Sequence, residues 1–259
     1  MAIVETDALV IRSHRLGETS LIVSLFTADF GLLRCVAKGA RGPKSRFGAS
    51  LEPGVRLRAV VYRKLNRDLQ LLSKADVISY WPALWEDPDR FACAGAVLEF
   101  LERAAYGEVE DPGLLELATD TLAAMALASL PASEAMLRAF EVQACRRLGY
   151  APELTVCLEC RRPLEGGGLF HPVRGGLLCG APCGDDAGAF RLSAKARLTL
   201  VALAERPVAS IAEWIMERYP GPEVARAIER FLAAHLERFE GLRALKVGEQ
   251  LARYAGGTR

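Results

Sequence analysis

The chain has 259 residues, of which 51% are apolar and 25% charged, with a formal net charge of +1. This composition excludes a disordered protein, and the length permits a core large enough to need no disulfide staples. The longest apolar stretch, Thr121 to Leu130, is ten residues against the roughly 20 of a membrane-spanning helix, so no membrane partner is expected.

The opening Met1-Ala2-Ile3-Val4-Glu5-Thr6-Asp7 has neither a basic nor an apolar leader segment, which predicts a cytoplasmic protein. In such a reducing compartment, seven cysteines point to metal binding or core packing before disulfides. The small net charge conceals an asymmetry: +6 over residues 1–80, −8 over 81–156, −1 over 157–190 and +4 over 191–259. Separate surfaces with separate partners are the expectation.

Residues 1–80 read as strands. Ala8 to His14, Leu21 to Phe26, Leu32 to Lys38, Val55 to Tyr62 and Leu69 to Ile78 are short apolar runs separated by turn residues. Five strands in so short a span predict a small closed barrel of the OB type. In Val55-Arg56-Leu57-Arg58-Ala59 the apolar side chains alternate with the two arginines, and Arg34 and Lys38 share a face. From Phe30 to Leu51 there are five cations, Arg34, Lys38, Arg41, Lys44 and Arg46, and no acid. The loop from Gly39 to Gly48 lacks the spacing of a phosphate-binding ATPase loop. It suits nucleic acid instead: glycines permit close backbone approach, the cations supply phosphate binding, and Phe47 is a candidate to stack on a base. Arg56 and Arg58, with Arg12, Arg15, Lys64 and Arg67, extend the track if they reach the same face.

After Trp81-Pro82 the apolar period becomes helical. Phe91, Val97, Leu98, Leu101 and Ala105 form one stripe, and Leu114, Leu117, Leu122, Met125 and Leu130 another. Pro131 to Glu134 opens a helix that Gly149 ends, carrying the first helical part through residues 81–156.

The four cysteines Cys157-Leu158-Glu159-Cys160 and Cys179-Gly180-Ala181-Pro182-Cys183 are separated by 18 residues. Each close pair can offer two thiolates from one turn, and two such turns complete a tetrahedral site for one structural zinc ion. The Gly-rich span from Gly166 to Gly176 predicts a hairpin that returns Cys179 to Cys160. The second pair has three intervening residues rather than two. His171, between the pairs, is expected to be a polar surface residue. A deaminase reading fails because the last ligand after Pro182-Cys183 is missing. Residues 157–190 thus form a four-cysteine insert. Residues 191–259 complete the helical domain, with Ser193 as the N-cap of a helix over 194–204 and two or three more helices after Pro207. No catalytic residue is found: there is no nucleophile elbow, phosphate loop or paired carboxylate motif.

The chain resembles the bacterial RecO family. The carrying residues are Thr6-Asp7-Ala8-Leu9-Val10-Ile11, Gly17-Glu18-Thr19-Ser20, Phe30-Gly31-Leu32, Ala37-Lys38-Gly39-Ala40-Arg41, and Phe140-Glu141 through Leu148-Gly149-Tyr150-Ala151-Pro152 before Cys157. The resemblance spans nearly the whole length. It implies an N-terminal OB-fold and a helical C-terminal domain carrying a zinc-binding insert. It also implies a non-enzymatic, nucleoid-associated role in DNA repair and recombination. RecO-like proteins bind single- and double-stranded DNA, anneal complementary strands, and with RecR load RecA onto DNA coated by single-strand-binding protein. The acidic, apolar-ended tail of that protein calls for a basic-rimmed groove, and Arg226, Arg230, Arg238, Arg243 and Lys246 are the candidates for it. Two further readings of the residues are a zinc-containing protein-interaction scaffold and an RNA-binding OB protein.

Overall fold

The structure is a computed structural model that describes residues 2–104, 110–180, 183, 187–215, 219–236, 239 and 241–256. Ala105 and Arg238 lie outside the described residues. Five strands form a closed barrel: β1 (Ala2–Leu16), β2 (Ser20–Thr27), β3 (Gly31–Ala37), β4 (Arg56–Arg63) and β5 (Leu69–Ser79). Their order is β1-β2-β3-β5-β4, and β4 returns to β1, which is the expected OB-type barrel. All pairings are antiparallel except β3 with β5, which run parallel from Arg34 opposite Leu69 to Val36 opposite Leu71.

Strand β1 is long because it serves two neighbours. Ala2 to Leu9 pair with β4, and Ala8 to Leu16 pair with β2, with a register shift between Val10 and Arg12. The barrel interior takes the alternate residues Ala8, Val10, Val23, Leu25, Cys35, Leu57, Ala59, Val61 and Leu72. Ala8, Ala37 and Ala59 keep that interior narrow, as a five-stranded barrel requires. Burial pushes the Cys35 thiol up to about 12, so this cysteine is an inert packing residue.

The helical part contains α1 (Ala83–Glu86), α2 (Pro88–Ala104), α3 (Pro112–Leu127), α4 (Leu130–Arg147), α5 (Ala194–Glu205), a 3-10 turn (Val208–Ser210), α6 (Ile211–Trp214), α7 (Gly221–His235) and α8 (Arg243–Gly256). Asp111 caps α3, accepting from the Leu114 N–H at 3.1 Å, and Ser193 caps α5, accepting from the Ala196 N–H at 3.1 Å. Helix α4 is central, touching α2, α3, α5 and α7. Phe100 of α2 meets Phe140 of α4 edge-on at 5.3 Å. Helix α8 lies against α2 at a small-residue crossing: a Cβ on Gly248 would come 2.4 Å from that of Ala92. Between α4 and α5, strands β6 (Gly168–His171), β7 (Gly176–Leu178) and β8 (Phe190–Leu192) form a small antiparallel sheet in the order β7-β6-β8.

Inside the helical core lies a charge pair. Arg138 and Glu141, both on α4, are 3.0 Å apart with side chains 4% and 0% exposed, and Arg138 also reaches Glu229 of α7 at 3.1 Å. Burial pushes the Glu141 carboxyl up, and the Arg138 guanidinium opposes it. Removing one partner of a buried pair costs about 3–5 kcal/mol, because the remaining charge has no solvent, whereas replacing both by apolar residues is often close to neutral. Arg138→Met is therefore expected to lower unfolding free energy by about 3–5 kcal/mol in urea melts, and Arg138→Met/Glu141→Leu to recover most of the loss. Equal losses in the two variants would show that the pair contributes through its shape and not its charge.

Candidate metal centre and nucleic-acid interface

Two turns build the cysteine site. In the first, Cys157 N–H donates to the Arg162 carbonyl at 2.9 Å and Arg161 N–H donates back to the Cys157 carbonyl at 3.0 Å. Arg161 has φ +58°, a left-handed conformation that costs a non-glycine residue energy and here closes the turn behind Cys160. The Glu153 carboxylate braces the approach, accepting from the Thr155 N–H at 2.9 Å and its hydroxyl at 2.7 Å. The second turn follows the hairpin of β6 and β7, which returns the chain as the glycines predict. Leu177 N–H donates to the Glu153 carbonyl at 3.1 Å, and Cys179 N–H donates to the Cys157 sulfur at 3.4 Å.

All four sulfurs, of Cys157, Cys160, Cys179 and Cys183, lie within 4.8 Å of one another and can hold a metal ion. The Cys160 and Cys179 sulfurs are 3.9 Å apart. A tetrahedral ion with bonds of about 2.3 Å to sulfur places its ligands about 3.8 Å apart, so the spacing fits. The three-residue second spacing does not prevent convergence.

The protonation chemistry agrees. Burial pushes the Cys157 thiol up, but the N–H groups of Cys160, Cys179 and Glu159 outweigh it and bring it down to about 6. Hydrogen bonds to Cys160 and Cys179 push Cys183 up to about 12. Four sulfurs this crowded cannot all be thiolates without a cation among them. His171 is not the surface residue expected: it is 8% exposed, and its Nδ1 accepts from the Arg174 N–H at 3.2 Å.

The cations of the barrel divide by what they touch. Arg34 and Lys38 are exposed on the outside of β3 and just past its end. In the loop after β3, Arg41 donates to the carbonyls of Gly17 and Glu18 at 3.4 and 3.2 Å, which ties the loop to the β1–β2 turn. Lys44 is exposed, and the Arg46 guanidinium sits 5.2 Å from the centre of the Phe47 ring. Phe47 is 4% exposed and packs in the barrel core beside Leu51, so it anchors the loop and does not stack on a base.

Arg56 and Arg58, on β4, both hold Asp7 of β1, at 3.3 and 2.7 Å. Arg56 also reaches the Thr119 hydroxyl of α3 at 3.5 Å, so its work is to join barrel to helices. Arg58 remains half exposed, with Glu5 at 3.8 Å.

Residues 1–81 match the family model described as Recombination protein O N terminal, and residues 85–245 match that described as Recombination protein O C terminal. The chain belongs to the RecO family. It is 34% identical over 236 residues to a protein named DNA repair protein RecO from Anaeromyxobacter dehalogenans (strain 2CP-C), covering 91% of this chain and 92% of that one. It is 33% identical, with the same coverage, to the protein of that name from Anaeromyxobacter sp. (strain K).

In this RecO-family chain the described cations expected at a partner site, Arg226, Arg230, Arg243 and Lys246, fall on two helices with different neighbours. Arg226 and Arg230 of α7 both lie over the Phe190 ring of β8, at 4.6 and 5.1 Å. Arg243 and Lys246 are on α8, which packs on α2, and Arg243 lines a groove with Tyr80, Trp85 and Phe91. Among the described residues no helix is long and apolar enough to cross a membrane.

Freshly purified, unchelated protein is expected to hold about one equivalent of metal by mass spectrometric analysis. Cobalt(II) loading should give the absorption of a tetrahedral tetrathiolate site, and Cys157→Ser and Cys183→Ser should each lose both signals. A wild-type content far below one equivalent would contradict the site.

Proposed function

We propose that this chain is a non-enzymatic mediator of DNA repair and recombination. It binds single- and double-stranded DNA, anneals complementary strands and, with RecR, helps load RecA onto DNA coated by single-strand-binding protein. The observation that carries this reading is the cationic, acid-free loop from Lys38 to Arg46, mounted on an OB barrel in a RecO-family chain. The relatives' printed name, DNA repair protein, supports the biological role. Annealing requires neutralising phosphates on two strands without reading bases, which exposed cations in a loop do. Arg34, Lys38, Arg41, Lys44 and Arg46 carry the phosphate path. Arg58 flanks it, and Arg56 acts mainly at the junction with α3.

The proposed cofactor is one zinc ion held by Cys157, Cys160, Cys179 and Cys183. Four thiolate ligands suit zinc and leave no position for a reactive water, so its role is structural. The acidic tail of single-strand-binding protein is assigned to the C-terminal helices, where α7 and α8 expose Arg226, Arg230, Arg243 and Lys246 in a region of net charge +4. The division into an OB domain to residue 80, helical parts over 81–156 and 191–259, and a metal insert over 157–190 is supported by β5 ending at Ser79 and α1 beginning at Ala83. The protein is expected to work in the cytoplasm at the nucleoid.

The test is a salt titration of single-stranded DNA binding. Joint replacement of Lys38, Arg41, Lys44 and Arg46 by Ala is expected to flatten the log-affinity against log-salt slope by about 2.8, or roughly 0.7 for each phosphate contact on a single strand. The loss should be alike for oligonucleotides of different sequence, since phosphate contacts carry no base information. An unchanged slope and affinity would remove the loop from the DNA path.

A further inference from the structure

The barrel carries an open groove of about 570 Å³ on the seam where β3 and β5 run parallel. Its apolar floor is Val36, Leu71 and the half-buried ring of Tyr62, which faces Leu71 across the β4–β5 pairing. Lys38, Lys64 and Arg67 stand around it, all exposed, against a single acid, Asp68.

The β4–β5 turn that supplies two of these cations is braced from beneath. Gln70 is 8% exposed, its side-chain oxygen accepts from the Lys64 N–H at 2.7 Å, and its amide donates to the carbonyls of Lys64 at 3.0 Å and of Arg67. Arg67 N–H closes the turn on the Lys64 carbonyl at 3.2 Å. The turn is thus preorganised to hold its charges over the groove and not merely a solvated loop.

We propose that this groove is a stacking subsite for one unpaired base of single-stranded DNA, with Tyr62 as the platform and Lys64 and Arg67 holding the flanking phosphates. The inference rests on the DNA-binding reading above and adds to it a place that distinguishes single strands from duplex. Size and charge select the occupant. The volume lies within the ~300–1,000 Å³ of small-ligand sites, and three cations around an aromatic and aliphatic floor suit a base joined to phosphates. A paired base keeps its faces inside the duplex stack and cannot reach Tyr62. Lys38 belongs both to this groove and to the start of the basic loop, so a strand passing along the loop continues into it. Gln70 is a positioning residue that acts through the turn.

The experiment measures binding of the full chain to an oligothymidine and to a duplex of equal length, across a salt series. Tyr62→Leu is expected to weaken single-strand binding at least about fivefold, the lower end of the effect of losing one base–aromatic stack. It should leave the salt slope and duplex affinity unchanged, and Tyr62→Trp should bind like wild type. Lys64→Ala/Arg67→Ala should flatten the single-strand slope by about 1.4, two contacts at 0.7 each. In wild-type protein, an oligonucleotide bearing 5-iodouracil should crosslink at Tyr62 on irradiation, a readout independent of how any variant folds.

Equal losses for Leu and Trp, a parallel loss of duplex binding, or crosslinks mapping only elsewhere would overturn the subsite. The reading of the Lys38 to Arg46 loop would stand if wild type still bound DNA with a salt slope that the loop variants flatten. A wild type that binds no DNA would overturn both.

Discussion

Four consecutive residues of β1, Ala8 to Ile11, are buried on both sides of the strand. Ala8 and Val10 enter the barrel core, while Leu9 and Ile11, with Phe26 of β2, enter the core of the helical part. Each large side chain buried this way contributes about 1.5–3 kcal/mol, so one strand stabilises two cores. The β4 approach is fixed at the same place: Val10 N–H donates to the Val55 carbonyl at 2.9 Å and Gly54 N–H to the Val10 carbonyl at 2.8 Å. Gly54 has φ +82°, and a Cβ there would meet the Trp85 ring at 2.5 Å, so only glycine permits the contact with α1. Because this side of the barrel is committed to helices, Arg34 and Lys38 on and just beyond β3, and the seam with β5, remain open.

That docking also sorts the charges. Arg56 and Arg58 hold Asp7, Arg12 holds Glu102 at 3.3 Å, and Arg147 holds Asp111 at 2.8 Å. Most of these pairs are partly exposed, and each contributes little to stability in water. Their effect is on availability: cations beside the acidic helical part have partners, while the loop after β3 has no acid within its sequence. Positive charge with no acid nearby in the sequence is therefore concentrated on one part of the barrel.

The cysteine module is not a loosely tethered insert. Phe170, Leu177, Leu178 and Leu192 of its sheet belong to the same core as α4, α5 and α7. Arg197 of α5 donates to the Gly166 carbonyl at 2.6 Å and the Leu154 carbonyl at 3.2 Å, and Arg226 and Arg230 cover Phe190. A metal that orders the two cysteine turns consequently also supports the packing of α5 and α7. The coupling runs through shared side chains, so occupancy of the site would bear on the helical part as well as on the module.

The barrel strands, the long helices and the two cysteine turns were legible in the chain, because these depend on neighbours in sequence. The period-two run Val55 to Ala59, the capping Ser193, and cysteine pairs too close to serve anything but one turn are local facts with local consequences. What tertiary structure alone decided is which side chains share a surface. Phe47, in a basic loop, reads as a stacking residue, yet its ring is drawn into the barrel because burial there outweighs exposure. His171 sits between the two cysteine pairs and looks polar, yet it is buried at the end of β6. Arg56 alternates outward as the pattern predicts, but outward at that point means toward Asp7 and Thr119. Tyr62 carries no motif and becomes notable only because β5 returns parallel to β3 and sets Lys38, Lys64 and Arg67 around it. Periodicity tells which way a residue points along its own strand; only closure of the barrel and docking of the helices decide what it points at.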